Sequence, residues 1–200
     1  MSQAIADLKH EHEAILFALK LLERMSQGLT AGELVATSDL VSIVDFLREF
    51  ADRCHHGKEE GILFPALIEA GVSHQGGPIG VLLQEHVSGR EWIAKLEASL
   101  HPVVSVVNFG MAARGYSALL LSHIQKENEV LFPIAEQALD AGKLDQIYQA
   151  FEVHEAKVIG QGRHEQLHEL LQSLNSKYPA QRRSVDRGRL DPDTESLFTQ

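Results

Sequence analysis

Two segments of the chain repeat one pattern of imidazole and carboxylate. His55-His56-Gly57-Lys58-Glu59-Glu60-Gly61-Ile62-Leu63-Phe64-Pro65 and His123-Ile124-Gln125-Lys126-Glu127-Asn128-Glu129-Val130-Leu131-Phe132-Pro133 align on Leu-Phe-Pro as HxxxExxxLFP, which pairs His55 with His123 and Glu59 with Glu127. A histidine and a glutamate four residues apart lie one above the other on a helix face. Each segment therefore offers one nitrogen and one oxygen ligand to a metal ion. A Glu-His pair precedes each copy, Glu11-His12 and Glu85-His86, at nearly equal spacing. Both halves then read EH followed by HxxxExxxLFP, as expected of a duplicated helical hairpin that brings four helices to one shared site.

Helical phase, at about 100° per residue, sorts the histidines. In the first helix His12 lies beside the stripe Leu8, Ile15, Leu19 and Leu22, and His10 points away. In the second, Leu40, Ile43, Val44, Leu47, Phe50, Ala51 and Cys54 form the stripe; His55 sits at its edge and His56 falls on the opposite side. His86 shares a face with Leu82, Ile93 and Leu100, and His123 and Glu127 share one with Leu119 and Val130. His12, His55, Glu59, His86, His123 and Glu127 thus face the interior, where ionisable groups are costly unless paired or metal-bound.

Nitrogen and oxygen ligands without thiolate suit iron, manganese or zinc. Zinc favours about four ligands in a tetrahedron, so this set fits a pair of octahedral ions better, with zinc or manganese as the lesser candidates. If Glu59 and Glu127 bridge two ions, two histidines bind each, and a water-derived oxygen (oxide or hydroxide) also bridges, one position per ion stays open for dioxygen, peroxide, nitric oxide or water.

The elements that must position these residues are helical nearly throughout residues 3 to 174. Helices are expected over residues 2–26, 37–70 with a kink at Pro65, 78–100, 105–141 and 144–174, the last interrupted near Gly160 and Gly162. The expected architecture is all-α. An up-down-up-down four-helix bundle fills 1–141, an additional C-terminal helix packs on it over 142–178, and a flexible polar tail occupies 179–200. With Lys+Arg 18 against Asp+Glu 28 and a net charge of −10, the chain is expected to bind neither nucleic acid nor an anionic membrane. One cysteine, Cys54, excludes an internal disulfide framework. No signal-peptide pattern or apolar span is evident, so the expected location is cytoplasmic.

The segments HHGKEEGILFP and HIQKENEVLFP, with Glu85-His86 between them and His12 ahead, resemble the hemerythrin-like family, also called HHE cation-binding domains, over about residues 5 to 140. The resemblance implies a four-helix bundle around a non-haem diiron centre, with Glu59 and Glu127 as bridging carboxylates and His12, His55, His86 and His123 as histidine ligands. One departure concerns function. Oxygen-carrying members have a second histidine one turn after the third-helix ligand, where this chain has Arg90. The sequence therefore resembles the four-histidine, two-carboxylate members rather than simple oxygen carriers.

Arg90 has two readings: it hydrogen-bonds a bound anion or a bridging carboxylate, or it pairs at the surface with Glu91 or Glu97. His154, on the stripe Ile147, Phe151 and Val158, either reaches the metals or is a satisfied buried histidine. His56 and Glu60 support the ligands from behind, add to them, or are solvated. The leading functional expectation is a diiron protein that binds or reduces a small oxidant, drawing electrons from an external donor because the chain shows no flavin, nicotinamide or iron–sulfur motif. The alternative is a non-enzymatic iron or oxygen sensor or an iron-storage module. A zinc-bound bundle used only for structure is a third reading.

Overall fold

In a computed structural model, which describes residues 1–160 and 162–180, the chain is helical, with no strand among the described residues. Helix α1 spans Gln3–Thr30, α2 residues 37–69, α3 Pro78–Ser99, α4 residues 106–138, α5 Ala141–Val158 and α6 Arg163–Lys177. The expected tail falls, from residue 181 onward, outside the described residues.

Local chemistry sets the helix ends. Ser2 Oγ accepts the Ile5 N–H at 3.3 Å and caps α1. Ser105 caps α4 through Asn108 N–H at 3.4 Å, so the helix starts at Val106 despite its β-branched first turn. Asp140 Oδ1 accepts the Lys143 N–H at 2.8 Å, which ends α4 at Ala138 and starts a new helix. Gly160 and Gly162, with φ of 86° and 73°, turn the chain between α5 and α6, conformations open to glycine at little cost. The expected fifth helix is therefore two helices.

Neighbouring pairs α1–α2, α2–α3, α3–α4 and α4–α1 pack in a closed ring, and short connections between them make successive helices antiparallel. Helices α5 and α6 lie on the outside against α1 and α2. The apolar interior is divided in two. One cluster holds Ile15, Leu22, Phe46, Phe50, Leu96, Phe109 and Leu120; the other holds Ile5, Leu8, Leu63, Phe64, Leu131, Phe132 and Phe151. Between their residues along the helices lie the buried polar side chains His12, His55, His56, Glu59, His86, His123 and Glu127.

Two helices depart from regular winding in a way that hydrophobic period does not reveal. In α2 the segments Leu47–His56 and Glu59–Leu63, and in α4 the segment Glu127–Leu131, are π-helical. Phe64 N–H bonds to Glu59 O and Phe132 N–H bonds to Glu127 O, each across five residues. Pro65 and Pro133 follow at once. Proline has no N–H to continue the ladder, and the widened turn carries the helix through it. The Leu-Phe-Pro motif thus marks a π turn that begins at each repeated glutamate, in keeping with the tendency of such turns to fall at functional sites.

Candidate metal centre

The repeat assembles two histidine pairs. His12 Nε2 and His55 Nε2 face each other at 3.0 Å, and His86 Nε2 and His123 Nε2 at 3.2 Å. Each ring is held at its other nitrogen: His12 Nδ1 by Asn128 Oδ1 (3.2 Å), His55 Nδ1 by Glu11 Oε2 (2.7 Å), His86 Nδ1 by Glu60 Oε1 (2.8 Å) and His123 Nδ1 by Glu85 Oε2 (3.0 Å). Carboxylate and amide oxygens only accept, so the Nδ1 atoms donate. In the neutral tautomer the Nε2 lone pairs then point at one another. Two bare nitrogens at this distance repel; a cation between them removes the conflict.

The glutamates span the pairs. Glu127 Oε2 lies 3.1 Å from His12 Nε2, while its Oε1 lies 3.0 Å from His123 Nε2 and 4.0 Å from His86 Nε2. Glu59 Oε2 is 3.4 Å from His86 Nε2 and 3.9 Å from His55 Nε2. All four carboxylate oxygens are buried, and none is aligned as a hydrogen bond. The donor atoms fall into two groups tight enough to hold an ion each, His12/His55/Glu127 and His56/Glu59/His86/His123. Orphaned carboxylates beside converging lone pairs fit cations, and the carboxylates behind the rings fix tautomer and orientation as metal-site histidines require.

The rest of the repeat supports these rings. Phe132 stacks on His12 at 5.4 Å and Phe64 on His86 at 5.8 Å, so each Phe of Leu-Phe-Pro packs on the histidine of a Glu-His pair. Lys58 and Lys126, matched in the repeat, bind the matched carboxylates Glu11 and Glu85. Helical phase does not single out either lysine or Asn128, although the alignment contains the signal: HxxKE in each copy, with Asn128 where the first copy has Glu60.

Three expectations are corrected. His56 is buried, not turned outward: its ring stacks on His86 at 3.9 Å and 13°, because the π winding of Leu47–His56 advances each residue by less than a regular helix does. Arg90 binds neither Glu91 nor Glu97, nor the glutamates between the histidine pairs. It holds Asp52 Oδ1 at 2.7 Å and the Glu60 carboxylate, and so anchors the partner of His86. His154 does not reach the centre; its Nε2 lies 3.3 Å from Arg53 O, over Gly57, where even a methyl group would meet the ring. Cys54 is a buried free thiol whose pKa burial pushes up to about 12, consistent with packing as a small apolar residue. His10 is exposed and pairs with Glu13.

Without metal, the surrounding carboxylates favour the protonated form of three of the imidazoles. Burial alone would depress the imidazoles, but Glu59 and Glu11 outweigh it at His55, Glu59 and Glu60 outweigh it at His86, and Glu127 and Glu85 bring His123 up to about 10. A raised folded pKa gives stability that is complete below the ordinary value of 6.5 and is lost as pH rises through the folded value. At the acid end, burial is outweighed at Glu11 by His55 and Lys58 and at Glu60 by His86 and Arg90, while His123 and Lys126 lower Glu85. Depressed carboxylates lose their contribution as pH falls from the ordinary 4.5 through the folded values. The metal-free chain is expected to be most stable between these limits and to lose Tm steadily toward pH 9. A Tm of metal-free protein that stays level from pH 6 to 9 would contradict this account of the centre.

A helical bundle with a buried centre of paired histidines and spanning carboxylates defines a cation-binding class. The chain belongs to the hemerythrin HHE cation binding domain family, whose model matches residues 3–135. It is also 35% identical over 133 residues to the iron-sulfur cluster repair protein YtfE of Musicola paradisiaca (strain Ech703), a match that covers 62% of this chain and 56% of that protein. The match thus spans little more than half the length of that relative. No solved structure matches the chain. No helix among the described residues is long and apolar enough to cross a membrane.

Proposed function

We propose that the chain is a non-haem diiron protein that binds or reduces a small oxidant such as dioxygen, peroxide or nitric oxide. The observation that carries this reading is the pair of facing Nε2 atoms on each side of Glu59 and Glu127, with every Nδ1 tied to an oxygen acceptor. His12 and His55 would hold one ion, His86 and His123 the other, and the two glutamates would join them. Bound iron would supply redox chemistry and an affinity for diatomic or peroxide ligands. The protein's share is to orient the imidazoles through Glu11, Asn128, Glu60 and Glu85, to stack Phe64 and Phe132 on two of them, and to keep bulk water out with the apolar clusters on either side. Electrons come from an external donor.

The name of the bacterial relative supports a more specific use, in which the centre serves iron–sulfur cluster repair. Both readings start from iron-loaded protein. The chain loaded anaerobically with iron(II) is expected to change its near-ultraviolet and visible absorption on exposure to dioxygen, hydrogen peroxide or nitric oxide. A loaded chain that responds to none of them, yet restores cluster absorbance to an oxidant-damaged iron–sulfur protein, would replace the oxidant reading with the repair one. Tight zinc uptake with no uptake of iron would sink both.

A further inference from the structure

The two halves of the centre are not equivalent, and one connected set of differences gathers beside His86. Carried through the repeat, Asp52 matches Leu120, His56 matches Ile124, Glu60 matches Asn128, and Arg90 matches Leu16. One half therefore holds a charged or titratable quartet where the other has three aliphatic side chains and a neutral amide. The quartet is connected: Arg90 Nε donates to Asp52 Oδ1 at 2.7 Å, its Nη2 donates to Glu60 Oε1, and Glu60 Oε1 holds His86 Nδ1 at 2.8 Å.

His56 is the member without a settled partner. It is 2% exposed, and neither ring nitrogen makes a hydrogen bond. A buried imidazole in that state is costly. Its surroundings repeat those of the paired histidines: Nδ1 faces a carboxylate oxygen, Asp52 Oδ1, at 3.6 Å, which leaves Nε2 for the centre. A ligand atom of His56 lies within 4.8 Å of ligand atoms of Glu59, His86 and His123, while the opposite group contains only His12, His55 and Glu127. The geometry points to His56 as a further nitrogen ligand, with Asp52 as its orienting carboxylate and Arg90 clamping both Asp52 and Glu60. An ion beside His86 and His123 would then be held by three imidazoles and one beside His12 and His55 by two, which would leave the His12/His55 side freer to take a small ligand. This rests on the metal-centre reading above.

The test is a stepwise anaerobic titration of the metal-free full chain with iron(II), repeated with zinc(II), on the native chain and on His56→Phe, which keeps a ring to stack on His86 and removes both nitrogens. The native chain is expected to take up two equivalents of unequal affinity. His56→Phe is expected to weaken one of them about tenfold or more and leave the other unchanged, and to raise the Tm of the metal-free protein by removing an unpaired buried imidazole. Asp52→Asn is expected to weaken the same equivalent to a smaller extent, and it decides the matter if His56→Phe does not fold. Two equivalents bound as in the native chain by both variants overturn the assignment. So does a metal-free Tm that falls while both equivalents weaken together, the signature of a structural histidine. A native chain that takes up neither ion removes the metal-centre reading itself, and the assignment with it.

Discussion

Lys58→Ala is expected to cost about 3–5 kcal/mol of folding stability, a fall in Tm of about 6–20 °C for a chain of this size. Lys58 is fully buried, and its Nζ donates to Asp7 Oδ2 at 3.0 Å, Glu11 Oε1 at 2.7 Å and Glu155 Oε2 at 2.9 Å. Burial opposes its charge, but Glu11 and Asp7 outweigh that and hold the ammonium charged well above its ordinary range. Truncation strands Glu11 deep in the bundle and loosens Asp7 and Glu155. Because Glu11 also orients His55, and Glu155 belongs to α5, one substitution should loosen the added helix and a histidine of the centre together. Lys126→Ala is the matched control: the same repeat position and the same role behind Glu85, with a side chain 40% exposed. Surface pairs contribute about 0–1 kcal/mol. Equal Tm losses in the two variants would show that the buried cage is not what distinguishes Lys58.

The architecture was legible because amphipathic period and duplication are properties of the chain itself. The stripe in α2 from Leu40 to Cys54 is buried as its phase requires. What the phase could not reveal is where the winding changes. A regular helix turns His56 about 100° on from His55 and off the apolar stripe; the π segment Leu47–His56 buries both. Pro65 alone suggests a kink, yet the structure has a widened turn that starts at Glu59 and again at Glu127, ahead of each proline. The carboxylates behind the histidines were half visible. Glu11 and Glu85 stood out as neighbours of His12 and His86, but each turns its own side chain to the histidine of the next helix, His55 and His123. That crossing is a matter of helix packing, which no single-helix pattern contains. Arg90 shows the same limit: its partners lie 38 and 30 residues away, on α2.

Glu127→Gln is expected to remove both ions, whereas His55→Ala is expected to remove mainly one. The difference follows from where each side chain reaches. Glu127 approaches His12 with one oxygen and His123 with the other, so its charge serves both histidine pairs. His55 Nε2 faces only its partner in one pair at hydrogen-bonding distance. The amide keeps the shape of the carboxylate and loses the charge that neutralises two cations, so the loss of affinity should exceed the ~10–100-fold expected when a group behind a ligand is removed. Glu11→Gln, behind His55, should stay within that range and affect one ion. The readouts are metal per chain after dialysis and the gain in Tm on loading. Each occupied site should stabilise the fold by about 4 kcal/mol at a free-ion concentration 1,000 times its Kd, which is about 8–16 °C. That gain should vanish in Glu127→Gln, halve in His55→Ala and persist in Glu129→Gln, an exposed carboxylate in the same π turn. If Glu127→Gln keeps one ion at native affinity, its carboxylate serves one position only, and the centre is two adjacent sites rather than one joined pair.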